Sequence, residues 1–337
     1  MVQINLGLDK LWETVSKGTG GAVAPWRIRR DGKATAEAKR DEMLMLAQTE
    51  VDIEDIKSGK KKYTDDHRLV DVHHDDTNVS LVENKESRTE PYINLATLEE
   101  AAVERKKAQA VQEQINLTKT VLLAEEVLGS STEEANDQDV DPDWFARWRD
   151  SAEKVSNEDL QKLWAKALAG EVTSPGSYSL RTLEFLKNLS QAEAEEISKL
   201  APYVIGGIIH NLPYLEQNGL TFQYLLEMED LGILSGVKGG GLNLTKNSLI
   251  PDKYINNFQY NGKILIFTSD TNKEASFNVY KITKLGIELV KLGVFPIDYE
   301  YLELIGQELK KQKFKITIAD ITGYSQGHIH YDNAREL

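Results

Sequence analysis

The chain has 337 residues, of which 40% are hydrophobic and 28% charged, with a net charge of −14 and no cysteine. This is a globular composition long enough for two cores, without an apolar run that spans a bilayer or a charged and apolar leader, so the expected location is cytoplasmic. The missing thiols exclude disulfides, thiolate zinc sites and cysteine nucleophiles, and the acidic balance argues against an extended nucleic-acid surface.

Taken in order, Leu6, Leu8, Leu11, Trp12 and Val15 sketch a short amphipathic helix, followed by glycines, Ala-Val-Ala-Pro-Trp26 and the basic cluster Arg27, Arg29, Arg30 and Lys33. Apolar and aromatic groups beside a basic cluster are the ingredients of a peripheral membrane anchor. They equally suit a helix that packs on a partner subunit with its arginines in water. Trp12, Trp26, Arg27, Arg29 and Arg30 are therefore the candidate membrane or partner contacts. Residues 33–57 are rich in helix formers and predict one long helix with Met43, Leu44, Leu46, Ala47 and Val51 on its apolar side. The N-terminal segment is taken as 1–57.

Residues 58–93 read as a polar linker or insertion. They hold His67, His73 and His74 among Asp65, Asp66, Asp71, Asp75 and Asp76, which are metal-ligating types without a recognisable spacing. A solvated loop is the expectation. Asn94 is positioned to cap a second long helix over about 95–129, with Ala101, Ala108, Ile115 and Leu122 recurring every seven residues and Val111 and Thr118 between them. That is a narrow seam of the coiled-coil kind, to be filled within the chain or by a second copy. An acidic linker, 130–140, leads to Trp144, Phe145 and Trp148.

The densest signals lie in 155–204, read as three short helices. Ser156 with Asp159 starts the first, whose face carries Leu160, Leu163, Trp164, Ala167 and Leu168; Gly170 and Thr-Ser-Pro-Gly at 173–176 end it. Ser177 or Ser179 caps the second, which carries Leu180, Leu183, Phe185 and Leu186, and Ser190 with Glu193 makes a capping box for the third. Trp144, Trp148 and Trp164 are expected as core anchors. Arg181, beside the Pro-Gly-Ser turn, is placed either to bind a phosphate or carboxylate or to pair with Glu171 and hold the hairpin.

The ordered run V-D-P-D-W-F (140–145), S-N-E-D-L-Q-K-L-W-A-K-A-L-A-G-E (156–171) and P-G-S-Y-S-L-R-T-L (175–183) resembles a widespread bacterial family catalogued only as a domain of unknown function. Its layout is similar to that of the abortive-infection alpha proteins of phage defence. The resemblance implies a helical core over 94–204 and a defensive role, and it brings no established biochemistry with it.

From 205 the pattern changes. Residues 221–236 read as a helix ending at Gly232-Ile233-Leu234, then a β-hairpin with strands near 263–268 and 276–282, then a helix over 282–293. L-L-E-M-E-D-L-G-I-L and I-T-K-L-G-I-E-L resemble winged-helix domains. No Lys or Arg occurs between Leu200 and Val237, and the would-be recognition helix carries Glu227, Glu229 and Asp230. A winged-helix-like domain over 205–321 that contacts protein is expected ahead of one that binds DNA. Gly236, Gly239, Gly240 and Gly241 lack the Lys-Ser/Thr of a phosphate loop and read as a flexible loop. Residues 299–321 predict a helix then a strand, and 322–337 a tail in which His328, His330 and Asp332 have the types for a metal site or for plain exposure.

The fold class expected is mainly α with a smaller α+β part: long N-terminal helices, a central helical hairpin and a C-terminal winged-helix-like domain. The functional expectation is a non-enzymatic homo-oligomer with no cofactor. It would sense a protein partner through the C-terminal domain and act at an anionic inner-membrane surface through its N-terminus. A DNA-associated winged-helix regulator is the alternative, and a metal-dependent hydrolase the third reading.

Overall fold

The computed structural model describes residues 6–20, 36–63, 69–71, 95–131, 135–325 and 328–337. It divides into two compact units, Met1–Gly176 and Ser177–Leu337. The division falls in the turn of the expected helical hairpin, inside the 94–204 segment. The fold is mixed: helices make the first unit, and two antiparallel sheets with short helices make the second.

In the first unit, α1 (Leu6–Gly18), α2 (Ala36–Lys57) and α3 (Leu95–Ser130) are the long helices, joined by α4 (Pro142–Ala152) and α5 (Glu158–Thr173). Strands β1 (Lys61–Tyr63) and β2 (Leu69–Asp71) form a small antiparallel ribbon after α2. The heptad seam of α3 is filled within the chain from Ala108 onward. Ala108, Ile115, Thr118 and Leu122 are buried, while α1, α2, α4 and α5 pack around the helix. Ala101 stays exposed, so the seam is unfilled at the helix start. The apolar side of α2 differs from the expected one. Leu46, Ile53 and Ile56 are buried, whereas Leu44 and Val51 are 59% and 54% exposed. The sequence carries apolar residues on two sides of this helix, and packing on α3 selects the side with the larger isoleucines. Helix α5 also runs through Gly170 to Thr173, and its cap is Asn157, one residue past the expected Ser156, with its side chain accepting from the amides of Asp159 and Leu160.

The second unit begins with α6 (Leu180–Asn188), capped by Ser179, and α7 (Gln191–Leu200), whose Ser190–Glu193 capping box is complete. Then come β3 (Ile208–His210), α8 (Pro213–Gln217), α9 (Phe222–Asp230), β4 (Leu234–Ser235), β5 (Leu242–Lys246), β6 (Tyr254–Tyr260), β7 (Lys263–Ser269) and β8 (Ala275–Ile282). Helices α10 (Lys284–Val290) and α11 (Tyr299–Lys311) and strands β9 (Lys315–Ser325) and β10 (His328–Glu336) complete it.

The strands near 263–268 and 276–282 exist, but they are not a hairpin. β8 is the centre of one sheet, paired with β3, β4 and β5, while β7 lies in a second sheet of order β10-β9-β7-β6. The true partner of β7 is β6, through a tight turn at Asn261 (φ 45°) and Gly262 (φ 81°). Both residues take positive φ, which the Asn-Gly pair accepts at low cost. The expected tail is largely β10, an antiparallel partner of β9. The two sheets meet through aromatic side chains: Phe258 and Phe267 from the second lie 5.2 and 6.0 Å from Phe277 of the first. Helix α11 seals the core with buried Tyr301, Leu302, Ile305 and Leu309, and the Tyr301 hydroxyl accepts from the amide of His210 at 2.7 Å.

Candidate functional site

In the first unit the tryptophans form a packed centre. Asp141 caps α4, accepting from the amide of Asp143 at 2.8 Å, and Pro142 opens the helix. Helical spacing then places Trp144, Phe145 and Trp148 inward, at 4%, 2% and 0% exposure. The Trp148 indole donates to the carbonyl of Trp164 at 2.9 Å, joining α4 to α5. Trp12 is also inside the unit: it is 7% exposed and donates to Glu125 of α3 at 3.1 Å. Burial removes Trp12 from the surface expected of a membrane contact. Trp26, Arg27, Arg29 and Arg30 lie outside the described residues. Glu171 is 2% exposed and accepts from the amide of Gly176 at 2.6 Å, so its carboxylate holds the Pro-Gly turn.

Beside this centre is a cavity of about 450 Å³ whose floor is Val140, Phe145 and Val172. Its rim charges are engaged: Lys17 pairs with Glu13 at 2.7 Å, and the Lys10 ammonium donates to the carbonyls of Asn136 and Gln138. The size suits a small ligand.

In the second unit, Arg181 is exposed and makes no ion pair among the described residues. It borders a groove of about 380 Å³ with Phe185, Leu189, Leu231 and Leu285. Of the groove's carboxylates, Glu184 pairs with Lys187 at 3.3 Å and Glu193 serves the capping box. Nearby, the start of α6 is occupied by Glu288 of α10. Its Oε2 accepts from the Ser179 amide at 2.7 Å, from the Ser179 hydroxyl at 2.9 Å and from Thr182. A carboxylate from the chain itself thus takes the amide and hydroxyl donors that an external anion would use there.

Sequence reasoning missed two sites. The glycine-rich loop is ordered around Glu229, which accepts from the amides of Gly236, Val237 and Lys238 at 2.7, 3.1 and 3.0 Å. These bonds, that of Lys238 foremost, hold the Glu229 carboxyl below its ordinary value against an opposing desolvation effect. Gly236 (φ 96°) takes left-handed backbone where these amides begin, and the Gly241 amide donates to the Gly236 carbonyl at 2.9 Å, closing the loop. The loop cradles an anion, and the anion is the protein's own. The second missed residue is His210, 3% exposed and edge-on to Phe258 and Phe277 at 5.0 and 5.2 Å. Its Nε2 is buried without a hydrogen-bond partner. Burial, with a smaller contribution from Lys246, lowers its pKa to about 3.

His328, His330 and Asp332 stand exposed on β10, and the register with β9 shifts between His330 and Tyr331. Among the described residues no group of three or more His, Asp or Glu is arranged to hold a metal. His67, His73 and His74 lie outside the described residues, as do Asp65, Asp66, Asp75 and Asp76. No helix is long and apolar enough to cross a membrane among the described residues.

A helical unit built on a tryptophan centre and an α+β unit of two sheets are what these observations define. The family described as "Protein of unknown function (DUF2806)" matches residues 100–206, from α3 to the start of β3. No curated protein and no solved structure matches the chain.

Proposed function

We propose that this chain is a non-enzymatic, homo-oligomeric protein of phage defence, of the abortive-infection kind, whose second unit is a winged-helix-like module that senses a protein partner. The order of elements supports the module: β3, the helices α8 and α9, then β4 and β5, with β8 returning between β3 and β4. In this reading α9 is the presenting helix, and the β6–β7 hairpin is an insertion into the wing.

The observation that carries the protein-contact reading is the outer side of α9. Phe222 is 53% exposed beside exposed Gln223, Glu227 and Asp230. An exposed aromatic among acids suits a protein partner, whereas a phosphate backbone would be repelled. The unfilled start of the α3 seam, at Ala101, supports assembly with further copies. The N-terminal arginines remain the proposed contact with an anionic inner membrane.

Phage plating on cells expressing the wild type and the Phe222→Ala/Glu227→Lys variant tests this. Protection in the wild type, lost in a variant that still folds, is the expected result. No protection against a broad phage panel would remove the defence reading. A mobility shift of duplex DNA with steep salt dependence would replace it with the DNA-associated one.

A further inference from the structure

Strand pairing brings three connections of the second unit to one end. Tyr254 at the start of β6 pairs with Ser269 at the end of β7, Thr268 pairs with Lys315 at the start of β9, and Lys246 at the end of β5 pairs with Ala275 at the start of β8. The 247–253 loop, the 270–274 loop and the α11–β9 turn therefore sit together. Side chains tie them: Asn272 donates to the carbonyl of Pro251 at 3.0 Å, and the Lys273 ammonium donates to those of Gln312 and Lys313 at 2.6 and 3.0 Å.

This end combines two properties. First, it presents aliphatic side chains on an ordered loop. Leu249 and Ile250 are 65% and 44% exposed and Pro251 follows them, exposed. The loop backbone is held from within: the Ser248 hydroxyl donates to the carbonyl of Lys253 at 2.6 Å and accepts from the amides of Ile250 and Ile255, and the Leu249 amide donates to the carbonyl of Ile255. These side chains are thus displayed at a fixed place and are not collapsed onto the core. Second, positive charge collects around them. Lys311 is matched by Glu308 and Lys315 by Asp270. That leaves Lys253, Lys273, Lys310 and Lys313 against Asp252 and Glu274. Burial, and after it the nearby Lys313, lowers the Lys273 ammonium below the ordinary lysine value.

We infer that this end of the second unit docks on an anionic membrane surface, with Leu249 and Ile250 entering the headgroup boundary and Lys253, Lys310 and Lys313 facing lipid phosphates. Aliphatic side chains set in a surplus of lysine match that boundary, where burial of apolar groups and attraction to the leaflet act together. None of the N-terminal arginines enters this inference, and it does not depend on the phage-defence reading.

Co-flotation of the full chain with phosphatidylcholine vesicles, with and without roughly one third phosphatidylglycerol, tests it. Binding is expected on the anionic vesicles alone and should weaken with salt. Lys310→Gln/Lys313→Gln should weaken the partition roughly thirtyfold, and Leu249→Asn/Ile250→Asn should weaken it while leaving the salt dependence in place. These positions are exposed, and circular dichroism of each variant serves as the check on folding. Absence of flotation on anionic vesicles overturns the inference. So does undiminished flotation of both variants with loss in Arg27→Gln/Arg29→Gln/Arg30→Gln, which assigns the membrane contact to the N-terminus.

Discussion

His210 makes the stability of the second unit depend on pH. In the unfolded chain its imidazole titrates near 6.5, while in the fold its pKa is about 3. Below pH 6.5 the unfolded chain binds a proton that the native state refuses, so stability falls as pH falls through that value and levels off near pH 3. Between pH 7 and 5 this one group costs about 2 kcal/mol, since the slope approaches 1.36 kcal/mol per pH unit. Lys246, whose Nζ lies 4.3 Å from the Phe258 ring, adds positive charge to the same surroundings and opposes protonation further. His210→Leu removes the titration and the unpartnered nitrogen at similar volume, and should change stability at pH 7 by no more than about 1 kcal/mol. Urea unfolding followed by circular dichroism of the sheets, at pH 7 and 5, measures the difference. All five tryptophans lie before Gly176, so their fluorescence follows the first unit as an internal control. Wild type and variant losing equal stability on acidification would refute the reasoning.

Two further outcomes follow from other buried or capping groups. Glu288→Ala strips the start of α6 of its acceptor and should cost about 2–3 kcal/mol in chemical denaturation, with Glu288→Gln recovering part of it. Ser190→Ala opens the capping box of α7 and should cost about 1 kcal/mol; a loss below a few tenths would mean the box contributes nothing in solution.

Local signals were the most legible part of the chain. The capping box at Ser190, the long helices and the strands at 263–268 and 276–282 follow from side-chain chemistry within a few residues, and each is present. What failed was partner choice. Two strands close in sequence suggested a hairpin, yet the Asn261-Gly262 pair, a strong turn signal, already favoured β6 as the partner of β7. The α2 helix offers apolar residues on two sides, and only the tertiary partner decides between Leu46–Ile53 and Leu44–Val51. Among the singled-out residues, the tryptophans were readable as core because large indoles at helical spacing have few other uses. The partners of Glu229 and Glu288 were not readable. Glu229 reaches amides seven to nine residues ahead through a folded loop, and Glu288 reaches Ser179 across 109 positions.

The second sheet draws β6 and β7 from the middle of the unit and β9 and β10 from its end. During synthesis, Lys263–Ser269, an unusually apolar strand, emerges long before Lys315–Ser325 can pair with it. Until then β7 has one unpaired edge carrying Ile264, Leu265, Ile266 and Phe267, a segment suited to pairing with other chains. Completion of this unit is thus delayed until β9 has been made. A chain cut short before β9 would be a source of aggregates rather than a smaller working protein.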